Sequence, residues 1–587
     1  MTRTVIDKDD VRDERLDMSG ADVLRVLGTF MVSEDDATVS FAGKTDGARI
    51  VNEGVIANTA EEGAAIRFGE EVGKKLEAEI DNRGLIKSID DAIKIDDGHL
   101  TKGELSITND KEGVIRSDAG QAIDLADASG DFLSRIANDG LIASGTNDAI
   151  KVGGDGRIDN DGHIVGGEAK GYSDGADGVS FEDGATGKVT NSGVIEGDRH
   201  GVDAGADSDI TVLNRKGGVI VGHNGSGVGS DGSATVINYG RITGEFSDSN
   251  GSDTHGSTPG EDDGGGPDGI NDGDGDGVDI DFEAHIFNFG VIEGTGAGGT
   301  GSDGLPNTSE GVAAGGGEIV NHEGAKIVGD DVGVLIDDSS QGGAQFETRI
   351  ENHGEIVGKE SFAIKLVGDQ DDVIVNGGKI RGGDGIAIDF GGGDDRLAIE
   401  DGSRIIGLTK GGEGTDTLDY SGFGDSVDVR LISGKATGTG RVEGFENIVG
   451  SDQDDHLAGD KSGNRIEGGD GDDVLCGRGG ADTLIGGDGD DVFHFRSAKG
   501  VYVDHVDDFV AGEDKISLGA SFGLEKGDLK DAFVLGDAAH DASDRLVYDR
   551  KSGELFFDAD GKGGEDAVKI AQFDPGTKID FHDIVIG

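Results

Sequence analysis

Aspartate recurs at one fixed place in a run of glycine-rich nonapeptides. Five copies share one register, GSDQDDHLA from residue 450, GDKSGNRIE from 459, GGDGDDVLC from 468, GRGGADTLI from 477 and GGDGDDVFH from 486, and an isolated copy, GGEGTDTLD, starts at 411. Their sixth places hold Asp416, Asp455, Asn464, Asp473, Asp482 and Asp491. Carboxylate and backbone oxygens, without thiols or imidazoles, are the ligands of a hard cation such as Ca²⁺. The spacing therefore predicts calcium sites that repeat with every turn.

Two fragments upstream look like decayed copies of the same nonapeptide. VGDQDDVIV (367–375) and FGGGDDRLA (390–398) place Asp372 and Asp395 at the sixth position, and we predict that both are metal ligands. The copy from 459 departs from the pattern, because Asn464 replaces the aspartate and Ser462 replaces the fourth-place glycine. Whether that copy holds an ion stays open.

The remaining places of the nonapeptide indicate how the sites are built. Glycine permits the tight turns with positive φ, and one large apolar residue stands at every eighth place, as Leu475, Leu484 and Phe493 do. The pattern GGxGxDxUx resembles the RTX, or haemolysin-type calcium-binding, repeat family. This resemblance implies a parallel β-roll in which calcium ions lie between successive turns, held by the sixth-place aspartates and loop carbonyls.

The segments around the nonapeptides extend the resemblance. LDYSGFGDSVDVRL (418–431) and VEGFENIVGSDQDD (442–455) resemble the usual approach to an RTX block, and VDDFVAGEDKISL (506–518), LVYDRKSGELFFDADGKGGED (546–566) and the ending DFHDIVIG resemble the C-terminal domain of serralysin-type secreted proteins. From the residues alone, LVYD and ELFFD flank a glycine-containing turn and predict a hairpin. The resemblance implies an uncleaved signal for type I secretion from a Gram-negative bacterium. We therefore expect an extracellular protein with the type I secretion apparatus as a partner.

Composition narrows the class of protein. The chain has 120 acidic and 51 basic residues, a formal charge of −69, so cations are expected to offset self-repulsion and nucleic-acid binding is disfavoured. Cys476 is the only cysteine, so no internal disulfide can form. The sequence shows no run of 18 apolar residues and no apolar leader, so neither a membrane span nor a cleaved signal is expected.

A second repeat covers most of the chain before residue 410. Phrases such as IDNRGLI at 80, IANDGLI at 136 and VTNSGVI at 189 recur, and their Asn residues lie about 22 to 33 positions apart except at one insertion. Each is followed by an alternating phrase such as AIKI (92–95). Two short strands per unit at this near-constant period predict a parallel β-solenoid, or β-helix. The repeated Asn favours a ladder of side-chain amides from coil to coil over simple turn chemistry.

These patterns predict an all-β chain of four parts: an N-terminal cap (1–45), parallel β-helix repeats (46–410) with an insertion (246–275), the calcium-binding β-roll (411–495) and a C-terminal β-rich secretion domain (496–587). The residue pattern of 272–283 matches that of an EF-hand calcium loop. An EF-hand is disfavoured because no flanking helix is evident, which leaves another kind of calcium loop or a mobile acidic loop.

Two functions remain after these exclusions. The favoured one is a structural, matrix, surface-layer or adhesin-like role, with calcium driving folding after export and with extracellular polysaccharide or a cell surface as a partner. This role requires no catalytic residue. The alternative is a β-helix polysaccharide lyase or epimerase acting on acidic glycans, whose candidate residues are Lys170, Asp198, Arg199, His200 and His223.

Overall fold

The computed structural model describes residues 2–69, 75–96, 100–167, 175–246, 275–297, 308–337, 343–497, 502–564 and 566–587. The regular elements in these ranges are β-strands, apart from the α-helix Leu529–Ala532 and the 3-10 turns Leu431–Ser433 and Ala520–Phe522. Nearly all strand pairs are parallel, so the predicted all-β solenoid is confirmed. The chain divides into two compact units. The N-terminal unit comprises Met1–Thr348, Gly354–Val367 and Gly382–Asp384, and the C-terminal unit comprises Arg349–His353, Gly368–Arg381 and Gly385–Gly587.

The N-terminal unit is a stack of coils with three parallel strands each, so each coil contributes one strand to each of three faces. The first face contains Arg3–Ile6, Val23–Val26, Val39–Asn52, Lys75–Asn82, Lys102–Asn109, Asp131–Asn138, Asp155–Asn160, Thr186–Asn191, Asp209–Asn214, Ser233–Asn238, Ala284–Asn288 and Gly317–Asn321. The second contains Val11–Arg12, Thr29–Val32, Val55–Asn58, Leu85–Ser88, Val114–Ser117, Leu141–Ser144, His163–Val165, Val194–Gly197, Val219–Gly222, Arg241–Glu245, Val291–Thr295, Lys326–Gly329 and Glu355–Gly358. The third contains Leu16–Gly20, the start of Val39–Asn52, Ile66–Phe68, Ile93–Ile95, Ile123–Leu125, Ile150–Val152, Val179–Phe181, Val202–Ala204, Val228–Ser230, Val278–Ile280, Glu310–Ala314, Val332–Ile336 and Ile364–Leu366.

The strand count corrects the expectation of two strands per unit. Each Asn-containing phrase forms two strands rather than one, because the chain turns between the Asn and the following Gly, as it does between Asn138 and Leu141. The glycine of this turn lies against the coil before it: a Cβ on Gly140 would lie 2.2 Å from the carbonyl oxygen of Gly113. Only glycine permits this approach. The turn therefore fixes both the strand break and the coil spacing.

The predicted asparagine ladder is confirmed. In the N-terminal unit the side-chain amide of each Asn donates to the side-chain oxygen of its counterpart in the next coil, at 2.7–3.0 Å. The ladder contains Asn52, Asn82, Asn109, Asn138, Asn160, Asn191, Asn214, Asn238, Asn288 and Asn321. All of these side chains are buried, so the ladder satisfies polar groups that would otherwise be costly inside the stack.

The C-terminal unit contains two further parallel sheets. The first consists of Val373–Asn376, Arg396–Ile399, Thr417–Asp419, Asn447–Val449, Arg465–Asp470, Thr483–Asp488, Asp504–Val506 and Val568–Phe573. The second consists of Asp428–Arg430, His456–Ala458, Val474–Cys476, Val492–Phe495, Lys515–Leu518 and Ile584–Ile586. Successive nonapeptides alternate between the two sheets, so two nonapeptides make one turn of a β-roll. The eighth-place side chains Leu457, Ile466, Leu475, Leu484 and Phe493 are at most 1% exposed and fill the space between the sheets.

Further strands complete the C-terminal unit. They are Thr348–Asn352, Lys379–Asp389, Arg404–Lys410, Arg441–Glu443, Phe533–Leu535, Leu546–Asp549 and Glu554–Phe557. Leu546–Asp549 pairs antiparallel with Glu554–Phe557, which confirms the predicted hairpin.

The predicted domain boundaries relate to the strands in different ways. Those after residues 410 and 495 coincide with the ends of Arg404–Lys410 and Val492–Phe495, whereas the one after residue 45 falls inside Val39–Asn52. The first residues already stack in parallel, since Arg3–Ile6 pairs with Val23–Val26. The segment predicted as a cap is thus continuous with the coils after it. Most of the insertion lies outside the described residues. Of the EF-hand-like spacing (272–283) the structure describes residues 275–283, where Val278–Ile280 is a strand of the third face rather than part of an EF-hand.

Candidate metal centre

Two rows of mostly acidic side chains follow the turns of the C-terminal unit, each residue immediately before a strand or at its first position. The first carboxylate row lies along the first sheet and contains Asp372, Asp395, Asp416, Glu446, Asn464, Asp482 and Asp504. The second carboxylate row lies along the second sheet and contains Asp455, Asp473, Asp491 and Asp514. All eight predicted metal residues belong to one row or the other, because the nonapeptides alternate between the sheets.

Except between Glu446 and Asn464, neighbours within a row are joined by hydrogen bonds from backbone to side chain. In the first row the N–H of Asp372 donates to Asp395, that of Asp395 to Asp416, that of Asp416 to Glu446, that of Asn464 to Asp482 and that of Asp482 to Asp504. In the second row the N–H of Asp455 donates to Asp473, that of Asp473 to Asp491 and that of Asp491 to Asp514. These distances are 2.7–3.3 Å. Each bond fixes one carboxylate oxygen and leaves the other to find a different partner.

Asp473 illustrates the consequence. Its Oδ1 accepts the N–H of Asp455 at 2.7 Å, while its Oδ2 is buried and has no hydrogen-bond partner. The Oδ2 atoms of Asp395, Asp416 and Asp482 are also buried and unpaired. A buried polar atom without a partner costs about 1–3 kcal/mol, and more when it is charged. Four such oxygens in regular rows therefore call for a ligand that accepts electron pairs.

The first-place glycine of each nonapeptide makes room for this arrangement. A Cβ on Gly468 would lie 2.1 Å from Oδ2 of Asp473, and the same distance separates a Cβ on Gly477 from Oδ2 of Asp482. Any larger side chain would occupy the space beside the carboxylate. The glycines of the repeat thus serve the site directly as well as the turn.

Electrostatics also favour a cation. Burial raises the pKa of Asp473 to about 8, against a backbone hydrogen bond that lowers it, and the neighbouring carboxylates raise it further. Burial likewise raises the pKa of Asp395 and Asp504 to about 8 and that of Asp416 and Asp491 to about 6. These groups therefore hold protons at pH values where an exposed carboxyl is ionised. A divalent cation would replace the protons and pair with the carboxylates.

The residues present fit calcium rather than a transition metal. No group of three or more His, Cys, Asp or Glu side chains in the described part of the chain is placed to hold a metal by itself. An ion in the rows would take its remaining ligands from backbone carbonyls, which suits the oxygen coordination of Ca²⁺. The acidic side chains would supply the negative charge.

Asn464 marks a different site within the first row. Its Oδ1 accepts the N–H of Asp460 at 2.8 Å, whereas its Nδ2 is buried without a partner. An amide nitrogen is a donor and cannot ligate a cation. In this orientation Asn464 offers no second oxygen, unlike the aspartates of the row.

The rows also contain residues that sequence reasoning missed. Asp504, Asp514 and Glu446 accept backbone N–H groups in the same way as the sixth-place aspartates. A signal was available, because Asp504 and Asp514 begin the triplets DHV and DKI, which repeat the acidic–any–apolar order of places six to eight. Loss of the glycines around them hid the relation.

A comparison with protein families agrees with this geometry. The family model for the RTX calcium-binding nonapeptide repeat, in four copies, matches residues 442–475, 449–484 and 468–496. Residues 442–496 are RTX calcium-binding repeats. We call this segment the RTX segment; Asp455, Asn464, Asp473, Asp482 and Asp491 lie inside it, and Asp372, Asp395 and Asp416 lie before it. No curated protein matches the chain. The described residues contain no helix with the length and apolar character needed to cross a bilayer.

The candidate catalytic residues of the alternative function lie in the N-terminal unit, except that Lys170 falls outside the described residues. His200 is the most enclosed of them. Its Nδ1 accepts the N–H of Ser226 at 2.9 Å, its Nε2 lies 4.0 Å from Asp203, and its own N–H donates to Asp177 at 3.0 Å. Burial, together with the charge of Arg199, lowers the pKa of His200 well below its usual value. The imidazole is therefore neutral at physiological pH.

His223 belongs to a different set of contacts. Its Nδ1 lies 3.3 Å from Glu245 and its Nε2 lies 3.9 Å from Glu196, and the contact with Glu196 raises its pKa. The main-chain carbonyl of Asp198 accepts a hydrogen bond from Asn224 at 2.9 Å. His223 thus lies in the coil that follows Asp198, and the surroundings of the two imidazoles shift their pKa values in opposite directions.

Proposed function

We propose that this protein is a secreted β-solenoid with a structural or adhesive role, whose RTX segment and neighbouring coils fold when they bind calcium outside the cell. Extracellular matrix, a surface layer and adhesion to polysaccharide or to a cell surface are the settings that this role fits. The type I secretion apparatus would export the chain, as the resemblance of its C-terminal residues to serralysin-type signals suggests.

One observation supports this proposal above the others: four buried carboxylate oxygens lack partners, three in the first carboxylate row (Asp395, Asp416 and Asp482) and one in the second (Asp473). Without a cation these oxygens must hold protons or remain unsatisfied, and either state destabilises the fold. Calcium at extracellular, millimolar concentration would saturate sites with dissociation constants of about 10⁻⁴ to 10⁻³ M. The binding free energy then becomes folding free energy. In a cytosol poor in free calcium the same residues would favour the unfolded, exportable chain.

The N-terminal unit suits a mechanical role. Its coils bury apolar residues against their neighbours and continue the Asn ladder through ten coils. Such a stack has the repetitive, nearest-neighbour stability of a solenoid. Alternating charges extend across coils on its surface, for example where Lys359 contacts Asp330 at 2.6 Å and Glu293 at 3.4 Å. A long, charged surface of this kind suits contact with an extracellular matrix.

The test is thermal unfolding of the full chain, followed by far-ultraviolet circular dichroism, in 10 mM calcium and in EDTA. We expect calcium to raise the unfolding temperature of at least one transition and EDTA to remove ordered strand signal. Magnesium at the same concentration is the control, since it binds with smaller, more rigid coordination. Identical unfolding in calcium and in EDTA would contradict the proposal.

The enzymatic alternative is favoured by one contact set only, the neutral His200 held beside Asp203 in the N-terminal unit. A neutral imidazole near a carboxylate could move a proton at a sugar carbon. The calcium-loaded protein would be incubated with alginate, pectate and homogalacturonan, and unsaturated products would be followed by their ultraviolet absorbance. Product formation that disappears in His200→Ala would establish the lyase; binding without turnover would leave the scaffold role.

A further inference from the structure

A small basic pocket lies in the C-terminal unit, beside the first carboxylate row. Its cavity of about 60 Å³ is lined by Arg478, Arg496, Lys569, His494 and Tyr502, with Asp504 as the acidic member. One water needs about 10–15 Å³ of such space, so the cavity has room for an oxyanion group. A basic pocket is unexpected in a chain whose formal charge is −69.

Arg478 has an unusual backbone for its residue type. It stands at the second place of its nonapeptide, where Gly469 and Gly487 have φ values of +118° and +104°, and its own φ is +74°. A residue with a side chain is strained in this left-handed region. Glycine would avoid that strain and would match the repeat. The chain therefore carries an arginine at a position whose backbone conformation favours glycine.

The guanidinium of Arg478 is also incompletely satisfied. Its Nε is buried and has no hydrogen-bond partner. Across the described residues neither Arg478 nor Arg496 forms a salt bridge, whereas Lys569 is held by Glu554 at 2.7 Å and by Gln572 at 2.6 Å. Guanidinium groups bind planar or tetrahedral oxyanions through paired N–H donors. Two unpaired guanidiniums at one cavity match that requirement.

We propose that this pocket binds the oxyanion of an acidic saccharide, with the carboxylate or sulfate group between Arg478 and Arg496 and the sugar ring against Tyr502. Tyr502 is 61% exposed and lines the pocket, so its ring is available to the sugar, and an amphipathic aromatic ring suits such a contact. Uronic acids and sulfated sugars are the two sources of this chemistry. The inference goes beyond the scaffold role and does not depend on it, because binding is measured on protein that is already folded.

Isothermal titration of the full, calcium-loaded chain tests the pocket with three ligands: trigalacturonate, galactose trisaccharide bearing one sulfate, and neutral galactose trisaccharide. We expect at least one acidic trisaccharide to bind and the neutral one not to bind. Arg478→Gly should weaken the binding at least tenfold without lowering the unfolding temperature, because glycine relieves the backbone. Arg496→Gln should also weaken it. Arg465→Gln is the matched control, since Arg465 is an exposed arginine of the same roll that contacts Glu467.

The outcomes distinguish a carboxylate ligand from a sulfate ester and also test the pocket assignment. Binding of trigalacturonate alone identifies a carboxylate, and binding of the sulfated sugar alone identifies a sulfate ester. Equal binding of neutral and acidic trisaccharides, unchanged affinity in Arg478→Gly, or no binding of either acidic trisaccharide would overturn the pocket assignment. Circular dichroism of each variant in calcium shows whether lost binding reflects lost folding, so failure here is distinct from failure of calcium-dependent folding.

Discussion

Replacement of Asp473 by asparagine tests the metal row with almost no change of shape. Asp473 is fully buried, accepts the N–H of Asp455 and leaves Oδ2 unpaired. The variant keeps the volume of the side chain and removes its charge. In calcium it should lose a ligand that no neighbour replaces. In EDTA it should lose nothing, because the wild-type carboxyl, with its pKa raised to about 8, is itself costly to ionise there.

The magnitude follows from the occupancy of one site. With a dissociation constant of about 10⁻⁴ M and about 10 mM calcium, one occupied site adds about 2.7 kcal/mol to the free energy of unfolding. In a unit of roughly 200 residues this corresponds to a fall of about 5–10 °C in the unfolding temperature. In EDTA the same variant should unfold at an equal or higher temperature than the wild type. The effect of one substitution therefore changes sign with the metal.

The assay is paired thermal unfolding of wild type, Asp473→Asn and Asp488→Asn, each in calcium and in EDTA. Asp488 is the matched control, because it lies in the same roll but is exposed. It should change the unfolding temperature by little in either buffer. The reasoning fails if Asp473→Asn destabilises the EDTA form as much as the calcium form, or if Asp488→Asn reproduces its effect.

Three further outcomes follow from the same contacts. Burial raises the pKa of Asp395 and Asp504 above the unfolded value, to about 8. The metal-free protein should therefore lose stability as pH rises from about 4 to 8, while calcium affinity should rise over that range. Unfolding temperatures in EDTA that increase with pH would contradict this. Asn138→Ala removes a buried amide bonded to both neighbouring coils and should lower the free energy of unfolding in urea by about 2–5 kcal/mol. Asp139→Ala, an exposed substitution in the turn, should lower it by about 0.5 kcal/mol or less. Equal losses in the two variants would count against the ladder. Gly468→Ala places a Cβ 2.1 Å from a carboxylate oxygen and should raise the calcium concentration needed for half-maximal folding; an unchanged calcium midpoint would show that the site tolerates the methyl group.

Sequence periodicity could predict the metal rows only where the spacing is constant. Nine-residue spacing identified the sixth-place aspartates, and alternation between two sheets converts it to the 18-residue separation seen between Asp455 and Asp473. The rows continue to Asp504 and Asp514 across separations of 22 and 23 residues. Loops of different length occupy that interval, and a backbone contact is insensitive to loop length. The carboxylate rows therefore extend beyond the nonapeptide repeats, because strand register in the folded chain, rather than sequence spacing, places each residue.

The solenoid was predictable as a class because buried and outward residues alternate, but its corners depended on local turns. The Asn-x-Gly phrase has the composition of one short strand, yet the turn after Asn138 divides it, and the third strand of each coil follows from that division. The polar cluster shows the same limit. Asp198 and His223 follow glycine at equivalent places and lie in adjacent coils. The imidazole of His223 nevertheless contacts Glu196 and Glu245, because side-chain direction at a corner is set by its neighbours as well as by its position.

Both units stack polar side chains in a row from coil to coil, but the rows differ in chemistry, and this difference predicts two unfolding transitions. An amide carries both a donor and an acceptor, so the Asn ladder satisfies itself without an ion. A carboxylate carries only acceptors, so a stack of carboxylates needs protons or cations. Within the C-terminal unit the amide row ends where Asn376 donates to Ser403 at 2.7 Å, and the first carboxylate row begins at Asp372. Calorimetry of the full chain should therefore show one transition that moves with calcium and one that does not; a single transition that shifts as a whole would mean that the carboxylate rows control folding of both units.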